Sequence, residues 1–187
     1  MESRQVMIRH RDVSNLQEGL QITDPRTQEV YTIQSKLAEG GEGFSYTASG
    51  SNGGDKVVKV GTIGGGRAPD LEGKLQQEYL QVNQALGTNY SAFRVNMVDM
   101  AIVGDYVEGR NLAQEVEQGN RVFGESEVID ALNKVVEGYL EPLHAKGLVH
   151  KDVKPQNIIK TPEDQYALID FGLLRRHNSS VTVTTAM

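Results

Sequence analysis

The spacing of apolar residues divides the chain into a strand-rich first half and a helix-rich second half. Short runs enriched in β-branched and aromatic residues, bounded by glycine-rich stretches, predict strands. These runs cover 29–37, 44–49, 56–60, 93–98 and 100–107, with two shorter ones at 157–160 and 166–169. Because the strands are not followed one by one by helices, the pattern favours an α+β fold over a parallel α/β fold.

Three stretches have apolar residues at three- and four-residue steps and are predicted to be helices. They span 70–86, 111–117 and 125–145. In the third helix, one apolar stripe is expected to face the core, Ser126 to cap the start and Pro142 to bend the end. The stripe consists of Val128, Ile129, Leu132, Val136, Tyr139, Leu140 and Leu143.

Composition narrows the classes of function. The 187 residues carry a formal net charge of −6, which argues against a nucleic-acid partner because such a partner requires a basic face. There is no apolar run of membrane-spanning length, and the polar segment 1–20 lacks the apolar stretch of a secretory signal. The absence of cysteine excludes disulfides and thiolate metal sites. We therefore predict a soluble protein without a membrane partner, which begins with a weakly ordered leader over 1–28.

Two motifs in the second half carry the candidate chemistry. The first reads His-Lys-Asp-Val-Lys-Pro-Gln-Asn over 150–157, and the second reads Asp-Phe-Gly over 170–172. At this spacing they resemble the catalytic loop and the metal-binding segment of the protein kinases. The resemblance implies a two-lobed, kinase-like α+β fold, with an N-lobe over 29–106 and a truncated, minimal C-terminal lobe over 107–187.

The resemblance also implies the ligands ATP and Mg²⁺, with Mn²⁺ as an alternative metal ion, and it assigns roles within the second half. Asp152 would orient the attacking hydroxyl, and Lys154 would neutralise phosphate charge as it moves. Asn157 and Asp170 would hold the metal ion, because amide and carboxylate oxygens are ligands that Mg²⁺ prefers. A polar loop held together by structural hydrogen bonds is the alternative explanation of the first motif.

Further residues of the family pattern lie in the strand-rich half. Lys59, in the third predicted strand, occupies the place of the lysine that contacts the α- and β-phosphates. Its expected partner is Glu78 on the following helix, with Glu72 as the alternative if the helix register differs. A glycine-rich cover over the phosphates is expected between the first two strands, because main-chain N–H groups approach phosphate closely only where side chains are small. Its residues are Ala38, Gly40, Gly41 and Gly43.

The segment 102–112 resembles the hinge that binds adenine. The carbonyl of Asp105 and the amide and carbonyl of Val107 would bond the adenine edge, and Asn111 would reach the ribose. Gly104 falls at the rear of this pocket, where the family usually has a larger residue, so either the pocket is open or the register is shifted by one. Two other readings of the glycines stay open: a plain hairpin turn between the first strands, and a dinucleotide site at 61–66.

The chain also departs from the family pattern. Only 15 residues follow Gly172, and Lys151 replaces the arginine that commonly binds an activation-loop phosphate. We therefore expect activity that is constitutive or triggered by a partner.

Kinases trimmed in this way resemble the effectors that bacteria inject through type III secretion systems, among them those that phosphorylate the host chaperone HSP90. The resemblance implies a monomer that phosphorylates Ser or Thr of a folded protein, in the bacterial cytoplasm before export and the host cytoplasm after it. A nucleotide-binding pseudokinase and a small-molecule kinase are the alternatives.

Overall fold

A computed structural model of the protein describes residues 8–41, 43–63, 70–119 and 121–176. The contacts within the chain divide it into two units, Met1–Tyr106 and Val107–Met187. The glycine turn at 64–66 and the Ser/Thr-rich tail after 176 lie outside the described residues.

The first unit is built on a six-stranded antiparallel sheet, in the order β1-β2-β3-β4-β6-β5. Its strands are β1 (Gln21–Thr23), β2 (Val30–Gly40), β3 (Gly43–Gly50), β4 (Asp55–Gly61), β5 (Ser91–Arg94) and β6 (Met100–Asp105). One helix, α1 (Leu71–Leu86), lies between β4 and β5 in the sequence. All strand neighbours except β4 and β6 are joined by short connections, as expected for a meander of hairpins.

Side chains of the sheet point alternately to two faces, each covered by a different part of the first unit. On one face, Val58, Val60 and Val103 join a buried cluster with the segment that precedes β1. On the other face lie the side chains of Lys59 and of its cross-strand neighbour Ile102. This second face is the one that α1 covers, through Leu71, Leu75, Tyr79 and Val82.

The leader over 1–28 is not loosely packed where the structure describes it. A 3-10 helix, His10–Asn15, is followed by β1, which pairs with β2. Val13 and Leu16 are buried against the sheet. The hydroxyl of Tyr46 donates to the carbonyl of Val13 at 2.7 Å and accepts the main-chain N–H of Leu16 at 3.3 Å. The polar composition of this segment misled the prediction, because a few well-placed apolar residues suffice to dock it.

Two predicted strands end earlier than expected. The strand predicted over 93–98 stops at Arg94, because Asn96 forms a turn in which its side-chain oxygen accepts the N–H groups of Val98 and Asp99, both at 2.8 Å. Side-chain oxygens of Asn commonly compete with strand pairing in this way. The strand predicted over 100–107 stops at Asp105.

The second unit combines helices with short antiparallel strands. Its elements are β7 (Arg110–Asn111), α2 (Leu112–Gly119), α3 (Glu125–Val135), α4 (Glu141–Ala145), β8 (Leu148–Val149), β9 (Ile158–Lys160), β10 (Tyr166–Leu168) and β11 (Arg175–Arg176). The strands form a sheet in the order β10-β9-β7 and a pair β11-β8. Both functional motifs lie beside these strands, the first between β8 and β9 and the second directly after β10.

The helix predicted over 125–145 is interrupted by one wide turn. Between α3 and α4, residues Val136–Leu140 form a π-helical segment in which the N–H of Glu141 bonds the carbonyl of Val136. Pro142 follows immediately, and its ring has no N–H and crowds the carbonyl four residues earlier. The wide turn removes this conflict, so the predicted bend takes the form of a π-bulge. The helix begins after Gly124, and Ser126 lies inside it without acting as its cap.

The apolar stripe predicted for this helix faces the wrong way at four positions. Val128, Ile129, Leu132 and Val136 are 40–50% exposed, whereas Ala131 and Val135 are buried against the strands. Leu143 is buried as predicted. Since Ala131 and Val135 are small, the helix approaches β10 closely at these two residues, and the four larger residues stay exposed beside them.

Candidate active site

The loop over 150–157 holds a compact group of polar side chains. The carboxylate of Asp152 accepts a hydrogen bond from the side-chain amide of Asn157 at 2.9 Å and forms an ion pair with Lys154 at 2.7 Å. The same amide donates to the main-chain carbonyl of Asp152 at 2.8 Å. A short 3-10 helix, Pro155–Asn157, turns the chain so that Asn157 returns to Asp152. The structure therefore brings together three of the four catalytic and metal-binding residues predicted in the second unit.

His150 joins this loop to the second motif. Its ring is 1% exposed, and its Nδ1 accepts the main-chain N–H of Asp152 at 3.3 Å. Since Nδ1 is an acceptor, Nε2 carries the proton and donates to the carbonyl of Ile169 at 3.1 Å. The ring also meets Phe171 edge-on, with 5.0 Å between centroids. The imidazole of His150 thus holds the main chain at Asp152 and the main chain just before Asp170 at a fixed separation.

Asp170 follows β10 and adopts an unusual main-chain conformation. Its φ of 61° lies in the left-handed region, as does the φ of 67° at Lys151, beside Asp152. Such values are uncommon for residues other than glycine, and they concentrate at functional sites. The N–H of Ile169 donates to the carbonyl of Asn157 at 2.9 Å. This bond joins the residue before Asp170 to the last residue of the first motif.

The electrostatics of the loop keep Asp152 ionised. The bond from Lys154 lowers the pKa of the Asp152 carboxyl, with a further contribution from Asn157, and the same ion pair raises the pKa of Lys154. Burial lowers the pKa of His150 below its ordinary value. At neutral pH the loop therefore presents a carboxylate, an ammonium group and a neutral imidazole.

The oxygen atoms near this loop suit a hard cation. The Asn157 amide nitrogen is engaged by Asp152, and its Oδ1 atom accepts no hydrogen bond from the described residues. The carboxylate of Asp170, which also accepts the N–H of Gly172 at 3.3 Å, is the second oxygen donor. In the described ranges, no group of three or more Asp, Glu, His or Cys side chains is placed so that it could hold a metal ion by itself. Mg²⁺ commonly binds with one or two protein oxygens together with phosphate oxygens, so this pair fits it.

In the first unit, Lys59 lies on the sheet face that α1 covers, and Glu78 lies on α1 itself. Lys59 extends from β4 toward the face that α1 covers, and it is half-buried. Glu78 is also half-buried and lies at helical spacing from the buried residues Leu71, Leu75 and Val82. Glu72, the alternative partner, is engaged elsewhere, because its carboxylate accepts the main-chain N–H of Arg94 at 3.2 Å. The helix register therefore favours Glu78.

The predicted phosphate cover forms the tip of the hairpin between β2 and β3. Gly40 pairs with Gly43 at the end of the ladder, and Ala38 is exposed three positions from the turn. Gly43 has a φ of 147°, and a Cβ atom there would lie 2.3 Å from the carbonyl oxygen of Val60. Gly40 and Gly41 face open space. Position 43 thus requires glycine because of its main-chain conformation and the nearby Val60 carbonyl. At positions 40 and 41, glycine leaves the main chain accessible to a ligand.

The predicted hinge residues follow the last strand of the first unit. Asp105 ends β6 and uses its carboxylate to bind Lys56 at 2.6 Å, which leaves its main chain as the candidate adenine contact. Val107 lies in the connection that follows. Asn111 caps α2 reciprocally with Gln114, in bonds of 2.9 and 3.2 Å. Because the Asn111 oxygen is used in this capping box, only its amide N–H groups remain for a ribose.

Two features of these sites were not recognised from the sequence. His150 belongs to the motif, yet its role as a spacer depends on contacts with Ile169 and Phe171 that sequence spacing does not reveal. Tyr90, which lies against Gly104, has no sequence signal at all.

Known proteins resemble the chain at the level of sequence and fold. The protein kinase domain family matches residues 76–187. Serine/threonine-protein kinase B of Synechocystis is 38% identical over 81 residues, which are 43% of this chain and 14% of that protein. Serine/threonine-protein kinase PknG of Mycobacterium leprae is 32% identical over 160 residues, 80% of this chain and 20% of that protein. The chain thus spans a fifth or less of the length of these two relatives.

A solved structure has a similar fold. The structure of vaccinia related kinase 3 aligns with 89% of this chain and 54% of its own, with a TM-score of 0.68 and 21% sequence identity. The predicted kinase-like α+β fold is therefore confirmed. Because the family match covers more than half of the residues, the chain belongs to the protein kinase domain family.

Proposed function

We propose that this protein transfers the γ-phosphoryl group of ATP to a Ser or Thr hydroxyl of a protein substrate. The observation that carries the proposal is the position of Asp152, whose carboxylate is ionised and oriented by Asn157 and Lys154. The carbonyl of the same Asn157 accepts the N–H of Ile169, the residue before Asp170. Lys151, the residue before Asp152, has a left-handed main chain, as Asp170 has, and such conformations concentrate at functional sites. The arrangement matches what phosphoryl transfer needs, namely an oriented hydroxyl and stabilised phosphate charge.

In the proposed reaction, Asp152 accepts a hydrogen bond from the substrate hydroxyl and aims its oxygen at the γ-phosphorus. A new bond forms between this oxygen and phosphorus, the bond from phosphorus to the β–γ bridging oxygen breaks, and ADP leaves. A carboxylate of lowered pKa is a weak base, so its main contribution is orientation, and it takes the hydroxyl proton late. Lys154 neutralises charge on the phosphoryl group during transfer.

The remaining roles concern the triphosphate and the metal ion. Asn157 and Asp170 would hold Mg²⁺ or Mn²⁺ through oxygens, and an ion bound there would neutralise charge on the phosphates. Lys59 would bind the α- and β-phosphates, and Glu78 would hold Lys59 in place. The main-chain N–H groups near Gly40 and Gly41 would cover the phosphates.

The adenosine would be bound by the segment after β6. The main-chain carbonyl of Asp105 and the amide and carbonyl of Val107 would bond the adenine edge. The Asn111 amide would donate to the ribose. A Ser/Thr preference is supported by Lys154, because a lysine at this position of the catalytic loop resembles the Ser/Thr-type pattern. It is also supported by relatives described as serine/threonine-protein kinases.

A narrower proposal concerns the substrate. We propose a folded host protein as the target, with the chaperone HSP90 as the specific candidate, on the resemblance of the sequence to bacterial effector kinases. Incubating the purified protein with Mg·ATP and with HSP90, a second folded protein or a random peptide pool tests this. Equal labelling of all three would rule out a folded, specific target without affecting the assignment as a kinase.

The decisive experiment compares Asp152→Ala with the wild-type protein. We expect phosphate transfer, including autophosphorylation, to fall by two to four orders of magnitude, while ATP binding measured by calorimetry persists. Asp164→Ala, which removes an exposed carboxylate of the β9–β10 hairpin, is the matched control. ATP binding without transfer in the wild-type protein would instead identify a pseudokinase, and labelled small molecules without labelled protein would identify a small-molecule kinase.

A further inference from the structure

Gly104 leaves a side-chain-sized space on β6, and the ring of Tyr90 fills it. A Cβ atom on Gly104 would lie 2.2 Å from Cε1 and 2.6 Å from Cδ1 of Tyr90. Both distances are far below ordinary van der Waals contact, so the ring rests directly on the main chain of Gly104. The space behind this glycine is therefore occupied by a residue from another segment.

Tyr90 is held both through its main chain and through its ring. The main-chain N–H of Tyr90 donates to Oδ1 of Asn83 at 2.7 Å, and the main-chain carbonyl of Tyr90 accepts from Nδ2 of Asn83 at 2.8 Å. The ring packs against Tyr79 of α1, with 5.5 Å between centroids and an angle of 47°. Packing against α1 and anchoring of the main chain together make the ring a rigid surface.

Strand pairing shows which face of the sheet this ring covers. Gly104 pairs with Val57, and Ile102, two residues earlier, pairs with Lys59. Residues two apart on a strand point to the same face, and so do directly paired residues. The Tyr90 ring therefore covers the face that carries the side chain of Lys59, immediately before Asp105.

We infer that Tyr90 forms the inner wall of the adenine site in place of a Gly104 side chain, and that it limits the size of substituent tolerated on the adenine exocyclic amine. The inference rests on the proposed function, which places adenine on the main chain of Asp105 and Val107. The inference also offers an answer to the question that Gly104 raises, since a ring from another segment takes the place of the missing side chain.

The test measures binding of two probes, Mg·ATP and Mg·N6-benzyl-ATP, to the full chain by calorimetry. We expect the wild-type protein to bind ATP and to discriminate against the benzyl analogue. Tyr90→Ala, and Tyr90→Leu as the variant that preserves more of the packing on Tyr79, should reduce this discrimination about tenfold or more, since small differences in fit to an apolar pocket have effects of this size. Tyr90→Phe retains the ring and should discriminate as the wild-type protein does.

Unchanged discrimination in a folded Tyr90→Ala or Tyr90→Leu variant that binds ATP would overturn the inference alone. A wild-type protein that binds neither nucleotide would overturn the proposed function together with it. A second measurement is independent of nucleotide: Gly104→Ala should lower the unfolding temperature in the presence of Tyr90 but much less in the Tyr90→Ala background. An equal loss in both backgrounds would show that the ring does not occupy this space.

Discussion

Asn157 donates its side-chain amide both to the carboxylate of Asp152, at 2.9 Å, and to the main-chain carbonyl of the same residue, at 2.8 Å. The two bonds fix the carboxylate relative to its own main chain. They also settle the orientation of the amide, so that its oxygen is the atom left for a metal ion. A single side chain thereby connects the proposed orientation of the hydroxyl to the proposed binding of metal.

Removing the Asn157 amide should change the dependence of phosphate transfer on Mg²⁺ concentration. We expect Asn157→Ala to raise the Mg²⁺ concentration for half-maximal phosphate transfer about tenfold or more, because it removes an oxygen ligand and loosens Asp152. Transfer rates measured over a Mg²⁺ titration at saturating ATP provide the check. Gln156→Ala, at the exposed neighbouring position, should leave the titration unchanged. The same midpoint in Asn157→Ala and wild type would exclude Asn157 as a metal ligand.

The buried imidazole of His150 predicts a dependence of stability on pH. Since burial lowers its pKa below the ordinary value of about 6.5, the unfolded chain binds a proton before the folded chain does as the pH falls. The contribution of His150 is therefore complete above about pH 6.5 and is lost as the pH falls toward the folded pKa.

Urea unfolding between pH 7.5 and 5.5 should show this loss, and the ring resonances of His150 should show a neutral ring persisting below pH 6.5. His150→Gln should reduce the slope of stability with pH. A charged His150 ring at pH 6.5 in the folded protein would contradict the prediction.

The carboxylate of Glu72 secures the start of α1 to β5 mainly through the main chain. It accepts the N–H of Arg94 at 3.2 Å, while the Arg94 Nε lies 3.9 Å away. We expect Glu72→Ala to cost about 1 kcal/mol of unfolding free energy and Glu72→Gln, which keeps the acceptor, to cost less than half of that. Urea denaturation measures both, and equal losses would show that charge rather than the acceptor matters.

Two glycines of the β2–β3 hairpin should respond differently to the same substitution. Gly43→Ala places a Cβ atom 2.3 Å from the Val60 carbonyl oxygen at a φ of 147°, so we expect a loss of about 2 kcal/mol or more. Gly41→Ala meets no atom within 4 Å and should cost less than about 0.5 kcal/mol. Thermal unfolding measures the difference, and similar losses at both positions would contradict the described hairpin.

Neighbouring valines test which side of α3 faces the core. Val135 is 1% exposed and Val136 is 40% exposed. Val135→Ala should therefore cost about 2 kcal/mol of unfolding free energy, whereas Val136→Ala should cost less than about 0.5 kcal/mol, because alanine also favours helix. Urea unfolding of the two variants decides, and a larger loss at Val136 would restore the orientation predicted from the sequence.

Local pattern was sufficient for the elements and the motifs. Strands β3 and β4 and helix α1 were predicted within one residue at each end, because alternation and helical spacing are properties of neighbouring residues. The candidate site residues Asp152, Lys154 and Asn157 meet for a similar reason: they lie within six consecutive positions, so one short loop determines how they come together.

Contacts between distant residues required the tertiary structure. The direction in which α3 faces was decided by the fit of Ala131 and Val135 to the strands, whereas hydrophobicity alone favoured the larger side chains of the predicted stripe. Likewise, Gly104 and Tyr90 are 14 positions apart, and only strand pairing with the anchor at Asn83 brings the ring onto the glycine. The sequence by itself determined which chemical groups the chain carries and, through the spacing of apolar residues, which segments form strands and helices. Packing decided which surfaces of those elements meet, because packing depends on the shapes of side chains rather than on their spacing along the chain.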